Sequence, residues 1–152
     1  METQRLERYL HEHIPISRHL GASVVEAGAE RVRLRAPLAP NLNHRDTAFG
    51  GSLSALAILA GWAWLHLRLE ERGHRGRIVI MSSTMEFLAP AEGDFEARCG
   101  APAPERWELF VRTLERRGRA RLGLDAQLAV GDRPVATFRG QYVALTGTGE
   151  AA

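Results

Sequence analysis

The sequence contains no lysine and only one cysteine, Cys99. A single cysteine excludes an intrachain disulfide framework and a cysteine-rich metal site. Aromatic residues make up 7% of the chain and charged residues 25%, against a hydrophobic fraction of 45%. This balance excludes a largely disordered protein, and a length of 152 residues suits one domain of ordinary size.

The absence of lysine explains a high pI at a small net charge. All 20 basic residues are arginine, which stays protonated far above neutral pH, so the pI is about 9.3 at a formal net charge of +2. The arginines are interleaved with glutamates, and the densest group runs from Arg116 to Arg121. We therefore expect solvated surfaces and no nucleic-acid partner, with binding of an anionic partner as the alternative for that group.

Charged residues are also missing from Thr47 to Leu65, a stretch close in length to a membrane span. Three glycines and two serines dilute its hydrophobicity, and a helix that is apolar on all sides can instead be buried inside a protein. The N-terminus has no apolar segment typical of a signal peptide. We therefore expect a cytoplasmic protein without a membrane partner, whose central helix runs from Gly51 to Arg72 and stops at Gly73.

Hydrophobic periodicity predicts one further helix and a set of strands. The spacing of Leu6, Tyr9 and Leu10 predicts a helix over residues 4–13, with Thr3 as its N-cap. Pro15 ends this helix, and residues 16–20 are expected to form a short turn. Alternating apolar residues predict strands over residues 23–27, 31–36, 78–87, 94–100, 107–113, 120–130 and 135–145.

This order of elements does not fit a parallel sheet, in which helices and strands alternate. A central helix too apolar to face water requires the sheet to enclose it. We therefore predict an α+β protein in which an antiparallel sheet wraps around one long central helix, the arrangement of the hot-dog fold. Residues 1–20 should pack on the domain as a helical segment, residues 21–146 should form the domain, and residues 147–152 should be a flexible tail.

The segment that leads into the central helix carries the most specific motif. Residues 41–53 read NLNHRDTAFGGSL, and Gly61-Trp62 follows further along. This pattern resembles the N-x-N-x-x-x-T-x-F-[AG]-G-S-L of the thioesterase family typified by the C-terminal domain of YiiD. Residues 85–94, MEFLAPAEGD, are similar to a strand and Gly-Asp turn common among hot-dog proteins. The resemblance covers about residues 15–143.

The resemblance implies hydrolysis of an acyl thioester, with coenzyme A or acyl-carrier protein as the thiol and without a cofactor or metal. It also implies a homodimer or a dimer of dimers. Two other functions stay open. One is a 3-hydroxyacyl-thioester dehydratase, in which His44 with Asp46 or Glu86 would be the acid–base pair. The other is a non-catalytic module that binds acyl-CoA or regulates through it.

Candidate catalytic residues lie at the start of the central helix. The backbone N–H groups of Gly50 and Gly51 are unpaired in a helix first turn and can polarise a carbonyl, although glycines there also simply permit close packing. Asp46 is the candidate for activating water, with helix capping or pairing with Arg45 as the alternative. Asn43 is the candidate for holding that water or the carbonyl through its amide.

The remaining candidates are expected to contact substrate. For Asn41 and Thr47 the alternatives are structural roles, because asparagine is common in turns and threonine in helix caps. His44 is a second candidate for the general base. Three hydroxyl residues, Ser82, Ser83 and Thr84, interrupt the strand over residues 78–87. One of them, Ser83 or Thr84 by preference, is expected to reach the helix N-terminus of a partner protomer, with a hydroxyl bonded to backbone as the alternative. The predicted substrate contacts are Asn41, His44, Thr47, Phe49, Ser83 and Thr84.

One departure limits what the resemblance implies. Hot-dog thioesterases that begin the central helix with His-Gly-Gly carry a carboxylate two turns further on. In this sequence Phe49 replaces the histidine and Ile58 stands where the acid would fall. That mechanism is therefore not expected. Trp62 and Trp64 on the same helix are predicted to be core residues, with the wall of an acyl pocket as the alternative.

Overall fold

The structure, a computed structural model, describes residues 1–146; the tail predicted over residues 147–152 lies outside them. The described chain forms four α-helices and six strands. The helices are α1 (Glu2–His13), α2 (Pro15–Leu20), α3 (Gly50–Glu71) and α4 (Pro104–Arg117). The strands are β1 (Ser23–Ala27), β2 (Arg31–Ala36), β3 (Arg77–Phe87), β4 (Phe95–Gly100), β5 (Arg119–Val130) and β6 (Arg133–Leu145).

The strands form one sheet in the order β1-β2-β4-β5-β6-β3, in which all neighbours are antiparallel. Helix α3 contacts five of the six strands, and half of its 22 residues are fully buried. By length and hydropathy α3 would pass as a membrane span, but 61% of its most apolar window is buried inside the protein. The prediction of an antiparallel sheet wrapped around one central helix is confirmed.

The strand predicted over residues 107–113 is wrong, because this segment belongs to helix α4. Its buried side chains are Phe110, Val111 and Leu114, at the spacing of a helix face, whereas Leu109 is 56% exposed. Pro104 occupies the first turn, and Gly118 ends the helix in the left-handed conformation. The apparent alternation through Trp107, Leu109, Val111 and Thr113 is therefore a coincidence of helical spacing.

Helix α1 also differs from the prediction at its start. It begins at Glu2, and its N-cap is Met1 without a side-chain cap, so the proposed Thr3 cap is wrong. Pro15 does end α1, but it also begins α2, where the missing N–H of proline costs nothing. Arg5 fastens α1 to α3, since its guanidinium donates to Glu70 at 2.9 Å.

Four rings from α1 and α3 stack where the two helices meet. The ring order is His13, Tyr9, His66 and Trp62, with successive centroids 4.1, 4.6 and 4.8 Å apart. We call these four residues the ring stack. Burial lowers the pKa of His66, because the charged imidazolium loses hydration there.

The lowered pKa of His66 predicts a specific pH dependence of stability. The unfolded chain binds a proton at this residue more readily than the native protein, so stability falls as pH drops through the unfolded-state pKa near 6.5. Between about pH 7.5 and about pH 5.5, the melting temperature of the parent should fall about 2 °C more than that of His66→Phe. The exposed His19 on α2 provides the control His19→Phe. An equal decrease for parent and His66→Phe would contradict the prediction.

The two edges of the sheet are built differently. Edge strand β1 is short and bulged, and Glu7 of α1 accepts a hydrogen bond from the Val24 N–H at 2.9 Å. Edge strand β3 has 11 residues, and its Val79 and Met81 side chains are 44% and 52% exposed. Proteins normally protect sheet edges because unpaired strands associate. Helix α1 protects β1, while β3 remains open and apolar.

A β-bulge at Met81 changes which residues of β3 face the core. Ile80 pairs with Tyr142, and Ser82 pairs with Gln141, so Met81 is the extra residue. Ile78 and Ile80 pack on the core before the bulge, and Met85 does so after it. Simple alternation along β3 therefore does not describe its faces, which matters for the candidate residues that follow the bulge.

Two contacts explain the Gly61-Trp62 pair of α3. Tyr142 of β6 is fully buried, and its hydroxyl donates to the Ile58 carbonyl at 2.7 Å. A Cβ on Gly61 would lie only 2.7 Å from the Tyr142 ring carbon Cζ, so only glycine fits there. The Trp62 indole N–H donates to the Ile78 carbonyl at 3.1 Å. This residue pair therefore holds α3 against β6 and the start of β3.

The single cysteine lies in the core. Cys99 of β4 is fully buried, and burial raises the pKa of its thiol to about 12. The thiolate is the nucleophilic form of cysteine, so this residue is chemically inert in the native protein.

Candidate active site

The loop over residues 41–49, which we call the site loop, is held by Asn43. Its side-chain oxygen accepts from the backbone N–H groups of Arg45 and Thr47 at 2.7 and 3.1 Å, and its amide nitrogen donates to the Thr47 hydroxyl at 2.8 Å. Such bonds are typical of asparagine turns. The Asn43 amide is thus engaged by the loop itself, which makes it a residue that positions its neighbours.

Asn41 ties the site loop to the body of the domain. It is 4% exposed, and its amide nitrogen donates to the carbonyls of Leu20 and Pro37 at 2.9 and 2.8 Å. The backbone carbonyl of Asn41 accepts a hydrogen bond from the Phe49 N–H at 2.7 Å, directly before α3. Because both amide hydrogens are used inside the protein, the structure gives Asn41 a structural role rather than the predicted substrate contact.

Asp46 has an exposed side chain at the tip of the site loop. Its φ of 65° is the only positive value among non-glycine residues 1–146. Asp and Asn are the side chains that best tolerate this conformation. Within that same part of the chain its carboxylate forms no ion pair and no hydrogen bond, and α3 has no side-chain cap. The alternatives of helix capping and pairing with Arg45 are therefore not realised.

The first turn of α3 presents unpaired donors next to the site loop. The N–H groups of Gly50 and Gly51 form no hydrogen bond to any residue of 1–146. The first turn contains no acidic side chain, so the positive end of the helix dipole is not neutralised there. These donors can stabilise negative charge that develops on a carbonyl oxygen.

Two exposed phenylalanines flank these donors. Phe49 is 57% exposed, and its ring occupies the space beside Gly51. Phe87, at the end of β3, is 56% exposed, and its ring lies 3.5 Å from where a Cβ of Gly50 would stand. Phe49 was predicted as a substrate contact, but Phe87 was not. Its position after the β3 bulge and beside Gly50 is a tertiary feature that alternation could not reveal.

The other predicted substrate contacts lie in the site loop and on β3. His44 is exposed, and Thr47 is half-buried with its hydroxyl accepting from Asn43. Ser83 is exposed and follows the bulge in the same phase as Met85, which packs on the core side. Thr84 instead lines a polar groove on the outer face of the sheet with Glu86 and Asp125. The structure thus separates Ser83 from Thr84 on opposite faces.

Comparison with known proteins identifies the family. The sequence profile of the family described as "Putative thioesterase (yiiD_Cterm)" matches residues 3–146. A protein of unknown function from Chlorobaculum tepidum TLS is 32% identical with a TM-score of 0.89, covering 95% of this chain and 94% of that one.

Two further solved structures carry a thioesterase description. One from Shewanella oneidensis, described as a putative thioesterase, is 28% identical with a TM-score of 0.83 and coverage of 94% and 96%. One from Pseudomonas aeruginosa, described as a probable thioesterase, is 27% identical with a TM-score of 0.81 and 95% coverage of both chains. With the hot-dog architecture and the site loop in place, this chain belongs to the YiiD C-terminal family of thioesterase-like proteins.

Proposed function

We propose that the protein hydrolyses acyl thioesters of coenzyme A or acyl-carrier protein. The observation that carries this proposal is the pair of unpaired N–H groups at Gly50 and Gly51, flanked by the exposed rings of Phe49 and Phe87. The rings offer an apolar surface to an acyl group. The two N–H donors lie beside that surface. They can therefore stabilise the negative charge that develops on a thioester carbonyl oxygen during the reaction.

The proposed reaction uses Asp46 as general base. The thioester oxygen accepts hydrogen bonds from Gly50 and Gly51, and Asp46 takes a proton from water as the water oxygen attacks the carbonyl carbon. The tetrahedral intermediate then collapses, the carbon–sulfur bond breaks, and the sulfur leaves with the electron pair and takes up the proton that Asp46 holds. A free acid and a thiol result. Asn43 acts in this scheme as a positioning residue for the loop.

We infer that the active form is a homodimer joined through β3. This edge is open and apolar, whereas helix α1 covers the opposite edge at β1. Antiparallel pairing about a two-fold axis near the middle of β3 brings the start of one β3 beside the end of the other. The partner's Ser83 then lies near this axis, on the face that packs towards the helices.

Replacing Asp46 by Asn tests the proposed base. Asparagine tolerates the positive φ of this residue, so the loop should keep its shape while the side chain can no longer accept a proton. We expect kcat to fall about a hundredfold with thioester substrates. The matched control is Asp132→Asn, which changes another exposed turn aspartate between β5 and β6. If Asp46→Asn hydrolyses as fast as the parent, Asp46 is not the base.

A substrate panel separates this function from the two alternatives. Release of free thiol from acyl-CoA and acyl-carrier-protein thioesters of several chain lengths supports a hydrolase. Tight binding of acyl-CoA without release supports a binding module. Hydration or dehydration of a 3-hydroxyacyl or enoyl thioester, followed by ultraviolet absorbance, supports a dehydratase. The same panel establishes which thiol carrier the protein uses.

A further inference from the structure

The ring stack forms one wall of a cavity that the proposed reaction has not used. This groove of about 550 Å³ lies between the end of α1, the second half of α3 and the start of β3. Its size is within the range of small-molecule sites. Its walls combine the stacked rings with Ile14, Leu69, Ile78 and Val79.

Polar atoms within this groove are available for a ligand. Neither the Tyr9 hydroxyl nor the His66 imidazole forms a hydrogen bond to any residue of 1–146. Because burial lowers the pKa of His66, its ring is neutral at physiological pH. Glu70 at the rim is paired with Arg5. Tyr9, His66 and Trp62 therefore form an uncharged aromatic wall that can form hydrogen bonds, and the charged residues Glu70, Arg75 and Arg77 line the groove beside it.

The proposed dimer places this groove beside the other protomer's reaction site. The Trp62 indole N–H donates a hydrogen bond to the carbonyl of Ile78, at the start of β3. Phe87, at the end of β3, packs its ring on Gly50 of α3. The midpoint between Ile78 and Phe87 lies between Ser82 and Ser83. We place the two-fold axis there, which sets Ile78 opposite the partner's Phe87 and brings the groove beside the partner's α3 N-terminus.

On this basis, which rests on the proposed function, we propose that the ring stack is the acyl-binding pocket of the partner's active site and selects aromatic acyl groups. Both faces of Tyr9 and His66 are covered by neighbouring rings of the stack, so a flat ring would pack edgewise against Tyr9, His66 and Trp62, an arrangement that aromatic pairs favour. It also loses less conformational entropy on binding than a flexible alkyl chain does. An open wall of rings suits such a group better than a long straight chain.

Binding of two non-hydrolysable coenzyme A thioethers tests this inference. One carries a 3-phenylpropyl group and the other a nonyl group, which have the same number of carbon atoms. We expect the parent to bind the aromatic thioether at least about fivefold more tightly by calorimetry. Tyr9→Leu and His66→Leu should each remove most of this preference while changing the affinity for the nonyl compound less than about twofold. Tyr9→Phe, which keeps the ring, should retain it.

Trp107→Leu is the matched control, because Trp107 also belongs to an aromatic cluster, with Trp64 and Phe110, but lies on α4 away from the groove. It should leave the preference unchanged. The inference is overturned if the parent does not discriminate between the thioethers, if it binds neither, or if Tyr9→Leu weakens both equally. The proposed function is judged separately: it fails if no acyl-CoA releases thiol, even where the aromatic thioether binds tightly.

Discussion

Met81→Arg is expected to convert the proposed dimer into a monomer with at least about a hundredfold lower thioester hydrolysis. Met81 is the bulged residue near the middle of β3 and is 52% exposed. With the two-fold axis between Ser82 and Ser83, each Met81 lies close to the axis in the proposed interface and faces the partner's Thr84. An arginine there places an unpartnered charge in the interface from each protomer, which costs about 4 kcal/mol and weakens association about a thousandfold. Each monomer then lacks the other half of its site.

The opposite edge of the sheet supplies the control. Val25 is also an exposed apolar residue at a bulge of an edge strand, but it lies in β1 beside helix α1. Val25→Arg introduces the same charge and should keep both the dimer and the activity. Sedimentation velocity and kcat/KM measured on the same samples check both variants. A Met81→Arg protein that remains dimeric, or a monomer that hydrolyses as fast as the parent, contradicts the prediction.

Gly61→Ala should lower the free energy of unfolding by about 2 to 3 kcal/mol, although alanine is the better helix former. The added methyl group would lie 2.7 and 2.9 Å from ring carbons Cζ and Cε1 of Tyr142. Overpacking of this kind costs about 1 to 3 kcal/mol. Displacing Tyr142 also breaks its hydrogen bond to Ile58, worth about 1 kcal/mol. The gain in helix propensity, about 1 kcal/mol, offsets part of the loss.

Gly50→Ala is the matched substitution at the other end of the same helix. A Cβ there would lie 3.5 Å from the nearest atom, an ordinary contact, so the stability should change by less than about 1 kcal/mol. Chemical denaturation measures both variants. Combining Gly61→Ala with Tyr142→Leu, which removes the colliding ring, should cost less than the sum of the two single changes. Strict additivity would show that the ring does not limit residue 61.

The fold could be predicted from the sequence where burial leaves a periodic trace. The central helix was predicted within one residue at each end, because the uncharged stretch from Thr47 to Leu65 is followed by a glycine stop at Gly73. The secondary structure of segment 107–113 was not predicted correctly, because the spacing of Trp107, Val111 and their neighbours matches a strand and a helix equally well. Pro104 and Gly118, which flank the segment, were the signals that favoured the helix.

The site could be predicted only as far as local motifs reach. The site loop motif marked the right segment, but it did not show that Asn41 turns its amide towards Leu20 and Pro37. That contact joins residues far apart in sequence. The bulge at Met81, which separates Ser83 from Thr84, leaves no compositional trace either. The ring stack depends on the packing of α1 on α3, so no motif reveals it.

The buried position of Cys99 allows unfolding of the protein around β4 to be measured directly. The fully buried thiol reacts with a disulfide reagent only when β4 leaves the sheet. Thiol counted during an enzymatic assay therefore comes from substrate turnover and not from the native protein. Without substrate, the rate at which one thiol per chain becomes reactive measures how often the structure around β4 unfolds. This measurement needs no added label or engineered residue.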